Sequence, residues 1–184
     1  EAGEDGGALY LGSGQINVWN NTFVSNIAGD NGGAIYNNAA NGVVAANNLL
    51  IQNTAATSGG AIFVNGGSLT LSYSDYWQNS APALTGVTEG TGNIQVDPLF
   101  ADGLFRLQRG SPALDVGSPS TAVTVDFEDD ARPADNGYDL GYDELAGCRA
   151  QREGITQPFG SIQDALAANA PSTLIRVTGI CRGV

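Results

Sequence analysis

Three copies of one phrase limit what this chain can fold into: Gly6-Gly7-Ala8-Leu9-Tyr10, Gly32-Gly33-Ala34-Ile35-Tyr36 and Gly59-Gly60-Ala61-Ile62-Phe63. Their first glycines lie 26 and then 27 residues apart. A fixed period of that size marks a solenoid, one supersecondary unit repeated and stacked. Two glycines set a tight bend, and the small, aliphatic, aromatic residues that follow read as a buried strand. A second phrase keeps the same period: Asn20 to Asn26, Asn47 to Asn53 and Tyr73 to Asn79, whose closing asparagines are 27 and 26 residues apart. Two independent phrases holding one period make coincidence untenable.

A third strand candidate precedes each asparagine phrase, at residues 15–19, 42–46 and 68–72, the first and last with clear period-two alternation. Three short strands per turn with no helix between them predict an all-β chain, a right-handed parallel β-helix. Successive coils of such a fold pair about 4.8 Å apart, so equivalent residues stack. Phe23, Leu50 and Tyr76 are expected to form one inward ladder, and Leu9, Ile35 and Ile62 another. Asn26, Asn53 and Asn79 are expected to stack at a bend, because asparagine tolerates left-handed φ and its amide can bond to the copy above.

The chain has 184 residues, seven arginines, no lysine or histidine, and 19 acidic residues, for a net charge of −12. So acidic a surface repels phosphate backbones, which argues against nucleic acid as a partner. No apolar run reaches the roughly 18 residues of a membrane span. There is no methionine, and Glu1 falls in mid-repeat, which leads to the expectation of a processed or excised product of an exported protein. Cys148 and Cys181 lack metal-type spacing and read as one extracellular disulfide or as two buried thiols.

The Gly-Gly-Ala-Ile/Leu phrase, paired with Phe-x-x-Asn at Phe23 to Asn26 and its variants Leu50 to Asn53 and Tyr76 to Asn79, resembles the repeat pair of bacterial polymorphic outer-membrane proteins and related surface β-helix proteins. It covers roughly the first 80 residues. The resemblance implies an exported, cell-surface or adhesive setting and marks fold more than activity. Residues 97–145, from Asp97-Pro98-Leu99-Phe100 through Asp126 to Pro133 to Gly137 to Glu144, resemble the ending of large secreted bacterial β-helix proteins, which implies irregular closing coils and a final strand from Tyr138 to Glu144. Residues 159–170 read as a short amphipathic helix with Ser161 as N-cap, followed by a strand at 173–179. That pair resembles the opening cap of a pectate-lyase-like β-helix.

The domain reading is therefore regular coils at 1–100, closing coils at 101–147, and a capping helix plus strand at 148–184. Such a cap placed last has three resolutions: it folds back in cis, it completes the first coil of another copy in trans, or the sequence is cut from a longer chain. In trans the contact is heterologous and propagates as a filament. Its expected interface joins Gly6, Gly7, Ala8, Leu9 and Tyr10 to Ile162, Ala165, Leu166, Leu174, Ile175 and Val177. A Cys148 to Cys181 bridge would close a loop spanning residues 148 to 181, worth roughly 3 to 4 kcal/mol.

Chemistry is sparse. The strongest enzyme alternative is a polysaccharide lyase or hydrolase, yet the coils offer no lysine or histidine and no arginine before Arg106. Glu4 and Asp30 stack as a carboxylate pair, but both precede Gly-Gly bends, where acids are common turn formers. Asp126, Glu128, Asp129, Asp130, Asp135, Asp139 and Asp143 could supply oxygens to Ca²⁺, without EF-hand or nonapeptide spacing, against the alternative of a solvated acidic face. Arg132, beside Asp129 and Asp130, is expected to make an ion pair within the closing coils. Trp19 and Trp77 are candidates for stacking on surface glycans. No catalytic or cofactor-binding residue is assigned, and the function expected is a non-enzymatic extracellular filament or surface-fibre subunit. A carbohydrate-active enzyme and a monomeric glycan-binding adhesin are the alternatives.

Overall fold

The computed structural model describes residues 4–134, 136–145, 149–152 and 175–178. The chain divides into two compact units, residues 1–144 and 145–184.

The first unit is a stack of parallel coils, with no helix among its described residues. The first coil carries β1 (Leu9–Leu11), β2 (Asn17–Trp19), β3 (Thr22–Val24) and β4 (Ile27–Ala28). The second repeats them as β5 (Ile35–Asn37), β6 (Val43–Ala46), β7 (Leu49–Ile51) and β8 (Thr54–Ala55). The third has β9 (Ile62–Val64) and β10 (Leu69–Ser72), and the last has β11 (Leu84–Thr85) and β12 (Thr88–Glu89). Every pairing in this unit's sheets is parallel and one coil apart, in the orders β1-β5-β9-β11, β12-β10-β6-β2, β3-β7 and β4-β8. Single bridges carry the third sheet on from Leu49 to Asp75 and from Asp75 to Ile94. The fourth sheet is absent from the sequence reading, because two-residue strands leave no alternation to detect.

Leu9, Ile35, Ile62 and Leu84 stand in one register and face the core with Val18, Ala45 and Leu71. Burying one such aliphatic side chain contributes about 1.5 to 3 kcal/mol. The Gly-Gly phrase makes the stacking possible. Gly32 has a φ of 69°, in the left-handed region, and a Cβ on Gly33 would collide with the Gly60 carbonyl oxygen of the next coil.

Left-handed φ falls on Ser25, Gln52 and Gln78, each one residue ahead of the asparagine expected to adopt it. The asparagines instead supply the amide rungs. Asn26 Nδ2 donates to Asn53 Oδ1 at 2.9 Å, and Asn53 Nδ2 donates to Asn79 Oδ1 at 3.0 Å.

Residues 97–144 do not add further rungs to the stack. They return along its outside, where Leu49 and Ile51 point away from the first core and join Leu107, Ala113 and Leu140 in a second one. This differs from the closing coils expected at the C-terminal end, and the reason is polar as well as apolar. Asn47 exchanges two hydrogen bonds with the Ser118 backbone, at 2.9 and 2.7 Å, and its carbonyl accepts the Gly141 N–H at 2.8 Å. Thr22 Oγ1 accepts the Tyr142 N–H at 3.1 Å. Coils one and two thus supply the seat for chain that follows them by some 70 to 120 residues.

Residues 138–144 do not form the expected final strand. Tyr138 makes a single antiparallel bridge to Gly117, and Gly141, with a φ of 91°, breaks the extension. In the second unit, β13 (Arg149–Arg152) pairs antiparallel with β14 (Ile175–Thr178). The expected capping helix, with Ile162, Ala165 and Leu166, lies outside the described residues, as do Leu174, Cys148 and Cys181.

Candidate functional site

Within the first unit, two surfaces hold candidate residues: the edge of the first coil and the flank built by residues 97–144, while Ile175 and Val177 lie on β14 of the second unit. At the edge, β1, β2, β3 and β4 each have a paired strand on one side only among the described residues. Gly6 and Gly7 donate their N–H groups to the Asn31 and Gly32 carbonyls at 2.9 and 3.0 Å, and Ala8 donates to Ala34 at 3.0 Å. Outward on the same strand, Tyr10 stacks on Tyr36 at 5.3 Å between ring centroids, and Tyr36 stacks on Phe63 at 5.5 Å. Tyr36 is buried between its neighbours while Tyr10 is 53% exposed, so one ring of this aromatic ladder remains open. Burial, with the Asp5 carboxylate beside it, pushes the Tyr36 phenol above its ordinary range.

The ladder of Phe23 and Leu50 is in direct register, and Phe23 and Tyr76 pack on the same core cluster as Leu50. The hydroxyl of Tyr76 turns out to the last coil, donating to Glu89 at 2.8 Å and accepting from Gln95 Nε2 at 2.7 Å. Its pKa is pushed up to about 12 by burial and by Glu89. Trp77 packs against the second core, and the Trp19 indole N–H is buried. Glu4 and Asp30 meet through backbone, the Asp30 N–H donating to the Glu4 carbonyl at 2.8 Å.

On the flank the acidic run has a structural use that its sequence concealed. Asp126 Oδ1 accepts the N–H groups of Glu128 and Asp130 at 2.8 and 2.9 Å, and its Oδ2 accepts that of Glu144 at 3.0 Å. Asp115 Oδ1 accepts from Asn136 and Gly137 at 3.0 and 2.8 Å. Asp139 Oδ1 accepts the Asp115 N–H at 2.8 Å. These carboxylates serve as backbone acceptors that fold a segment lacking regular strands, as aspartate does in Asx turns. Among the described residues, no three or more acidic, cysteine or histidine groups gather in a way that could hold a metal ion.

Arg132 finds its ion-pair partner within the same segment. It is buried against Glu144, Nη1 to Oε2 at 2.9 Å, while Nη2 donates to the Gly141 carbonyl at 2.9 Å. Glu144 also accepts the N–H groups of Ala134 and Asp139 at 3.0 and 3.1 Å. A guanidinium offers a planar fork of donors, and a solvent-exposed turn acid would have left it uncompensated in the interior. Burial still holds the Glu144 carboxyl above its ordinary range, against the pull of those N–H groups and of Arg132. Asp143 is pushed up to about 6 by burial and by the carboxylates of Asp126 and Glu128.

Sequence reasoning missed Asp75. It occupies the register position filled by Leu49 one coil earlier and by Ile94 one coil later, and it is fully buried. Its Oδ1 accepts the Val96 N–H at 3.3 Å, and its Oδ2 is buried without a hydrogen-bond partner. An acid at a ladder position held by Leu49 in the coil before and Ile94 in the coil after was the available signal.

With the geometry in place, the comparisons can be stated. Residues 22–38 and 49–65 both match the model of the Chlamydia polymorphic membrane protein repeat. The match is to a membrane-protein repeat. Its two copies begin at Thr22 and Leu49, which are partners in the β3–β7 register, so the matched segments lie one directly on the other. Each contains an asparagine rung and a Gly-Gly phrase. No curated protein and no solved structure matches the chain. Among the described residues no helix is long and apolar enough to cross a membrane.

Proposed function

We propose that this chain is a non-enzymatic structural part of a bacterial cell-surface protein, a β-solenoid that is lengthened by adding coils at its first-coil edge. The observation that carries this reading is the pair of matched repeats stacked in register, whose polar side chains bond to each other and to the backbone. Such ladders leave the coils little reactive chemistry, and a family of surface proteins is the setting in which the repeat occurs. The edge residues Gly6, Gly7, Ala8, Leu9 and Tyr10 are the assembly face. A coil of the same type placed there would pair with all four first-coil strands and cover the Tyr10 ring.

In the filament form of this proposal the added coil comes from residues 148–184 of a second copy, with Ile175 and Val177 on the docking strand. The register of the last coil favours a separate docking module over the coil end itself. Thr85 stands where Phe63 stood and Glu89 where Leu71 stood, a polar finish suited to a terminal repeat. Negative-stain microscopy and sedimentation of the purified chain test the polymer. Fibres that disappear when residues 148–184 are deleted are expected. Fibres that survive the deletion would overturn the docking assignment, and particles that stay monomeric at every concentration would overturn the filament. Turnover of acidic polysaccharides would refute the non-enzymatic reading.

A further inference from the structure

We propose that the flank carries a preformed docking surface for a cationic, apolar protein segment, centred on Phe127 and Leu104. Phe127 is 82% exposed and Leu104 is 61% exposed, and Tyr142 links the two loops that carry them. The Tyr142 ring meets Phe127 edge-on with centroids 5.9 Å apart, and its hydroxyl donates to the Leu104 carbonyl at 2.5 Å. The Phe127 N–H donates to the Tyr142 carbonyl at 3.3 Å. Arg106 ties the same loops together by pairing with both Asp102 and Glu128. Phe105, also exposed, leans edge-on against Phe100 with centroids 5.4 Å apart.

Contiguous exposed apolar surface is a common mark of an interaction site. Here the cluster is also held rigidly. Asp126 clamps the turn that presents Phe127, so little ordering remains to be done on binding. Phe105 and Leu99 sit at left-handed φ values of 62° and 53°, which bulky residues seldom adopt.

The charges around the cluster select the partner. Asp102 and Glu128 border it and share the single guanidinium of Arg106, and Asp129 follows Glu128 in the chain, so acid outnumbers base there. All but two of the chain's 19 acidic residues, and only three of its seven arginines, fall within residues 1–144. A second copy presenting the same face would be repelled. A segment that alternates leucine or phenylalanine with arginine would fill the apolar centre, satisfy the rim, and place cations over the Phe127 ring.

Fluorescence anisotropy on the full chain tests this with three synthetic probes: a leucine–arginine peptide, its leucine–glutamate counterpart, and oligo-arginine. The leucine–arginine peptide should bind, should weaken as salt rises, and should lose about tenfold or more in affinity in the Phe127→Ser/Leu104→Ser variant. Oligo-arginine should bind the parent and the variant equally. Both substituted side chains are exposed, so the melting temperature should hold, and Phe127→Ser alone provides the readout if the double variant unfolds. Equal peptide binding by parent and variant would overturn the proposal, as would tight binding of the glutamate peptide. Self-association of the parent that the variant abolishes would also overturn it, by assigning the patch to a second copy.

Discussion

Asp75→Asn should remove a pH dependence that the parent chain carries in its second core. The Asp75 carboxyl is fully buried between Leu49 and Ile94, with one oxygen on the Val96 N–H and the other without a partner. Burial first, and then the Asp97 carboxylate, raise its pKa from 3.8 to about 7, against the opposing pull of the Val96 N–H. The folded chain therefore holds this proton more tightly than the unfolded chain. The resulting stability is fully present below about pH 4, is lost as pH rises towards 7, and stays lost above that. At 1.36 kcal/mol per tenfold change in proton affinity, the full span corresponds to about 4 kcal/mol. Asparagine keeps the acceptor for Val96 and cannot ionise. Urea unfolding followed by tryptophan fluorescence, with Trp77 reporting on this core, would be run on both chains from pH 5 to pH 8.5. Asp143 and Glu144 also titrate upward, but they are common to both chains and cancel in the difference. The gap between variant and parent should move in favour of the variant by about 2 kcal/mol or more as pH rises through that range. Parallel pH profiles would refute the reasoning.

Asn53→Ala removes the middle amide rung, which takes two donors from Asn26 and gives hydrogen bonds to Phe23 and Asn79, and chemical denaturation should show a loss of about 2 to 4 kcal/mol. Gly33→Ala drives a methyl group into the backbone of the adjacent coil at Gly60 and Thr54, so a loss of about 3 kcal/mol or more is expected in thermal unfolding. Arg132→Ala leaves the buried Glu144 without its partner and should cost about 3 to 5 kcal/mol, whereas Arg132→Met combined with Glu144→Leu should recover much of that, as measured by a double-mutant cycle.

What the sequence disclosed is what repeats. Leu9, Ile35 and Ile62 can be aligned by eye because one phrase recurs, and parallel pairing one coil apart turns that recurrence directly into register. The membrane-protein repeat is legible for the same reason, since the matched residues are the repeating ones. The flank is built differently. Asn47 reaches Ser118 and Thr22 reaches Tyr142 through single contacts between distant segments, and contacts made once leave no period. A trace existed in Leu49-Leu50-Ile51, three consecutive aliphatic residues where the equivalent segments begin with Thr22 and Asp75, because this strand is covered on both faces. Asp126 and Glu144 were unreadable as acceptors for another reason. An acidic residue in a turn looks the same in sequence whether its oxygens meet water, a cation or a backbone N–H.

The asparagine ladder has one further consequence. In each rung-to-rung bond the amide donor lies on the earlier coil, Asn26 to Asn53 and Asn53 to Asn79, while Asn53 and Asn79 also donate back to the Phe23 and Leu50 carbonyls. That gives the solenoid a head and a tail at the level of a single side chain. An incoming coil laid on in reverse would set carbonyl against carbonyl at the rung, and only the forward orientation continues the row. Direction along the stack is thereby written into an uncharged residue, where neither salt nor pH can erase it.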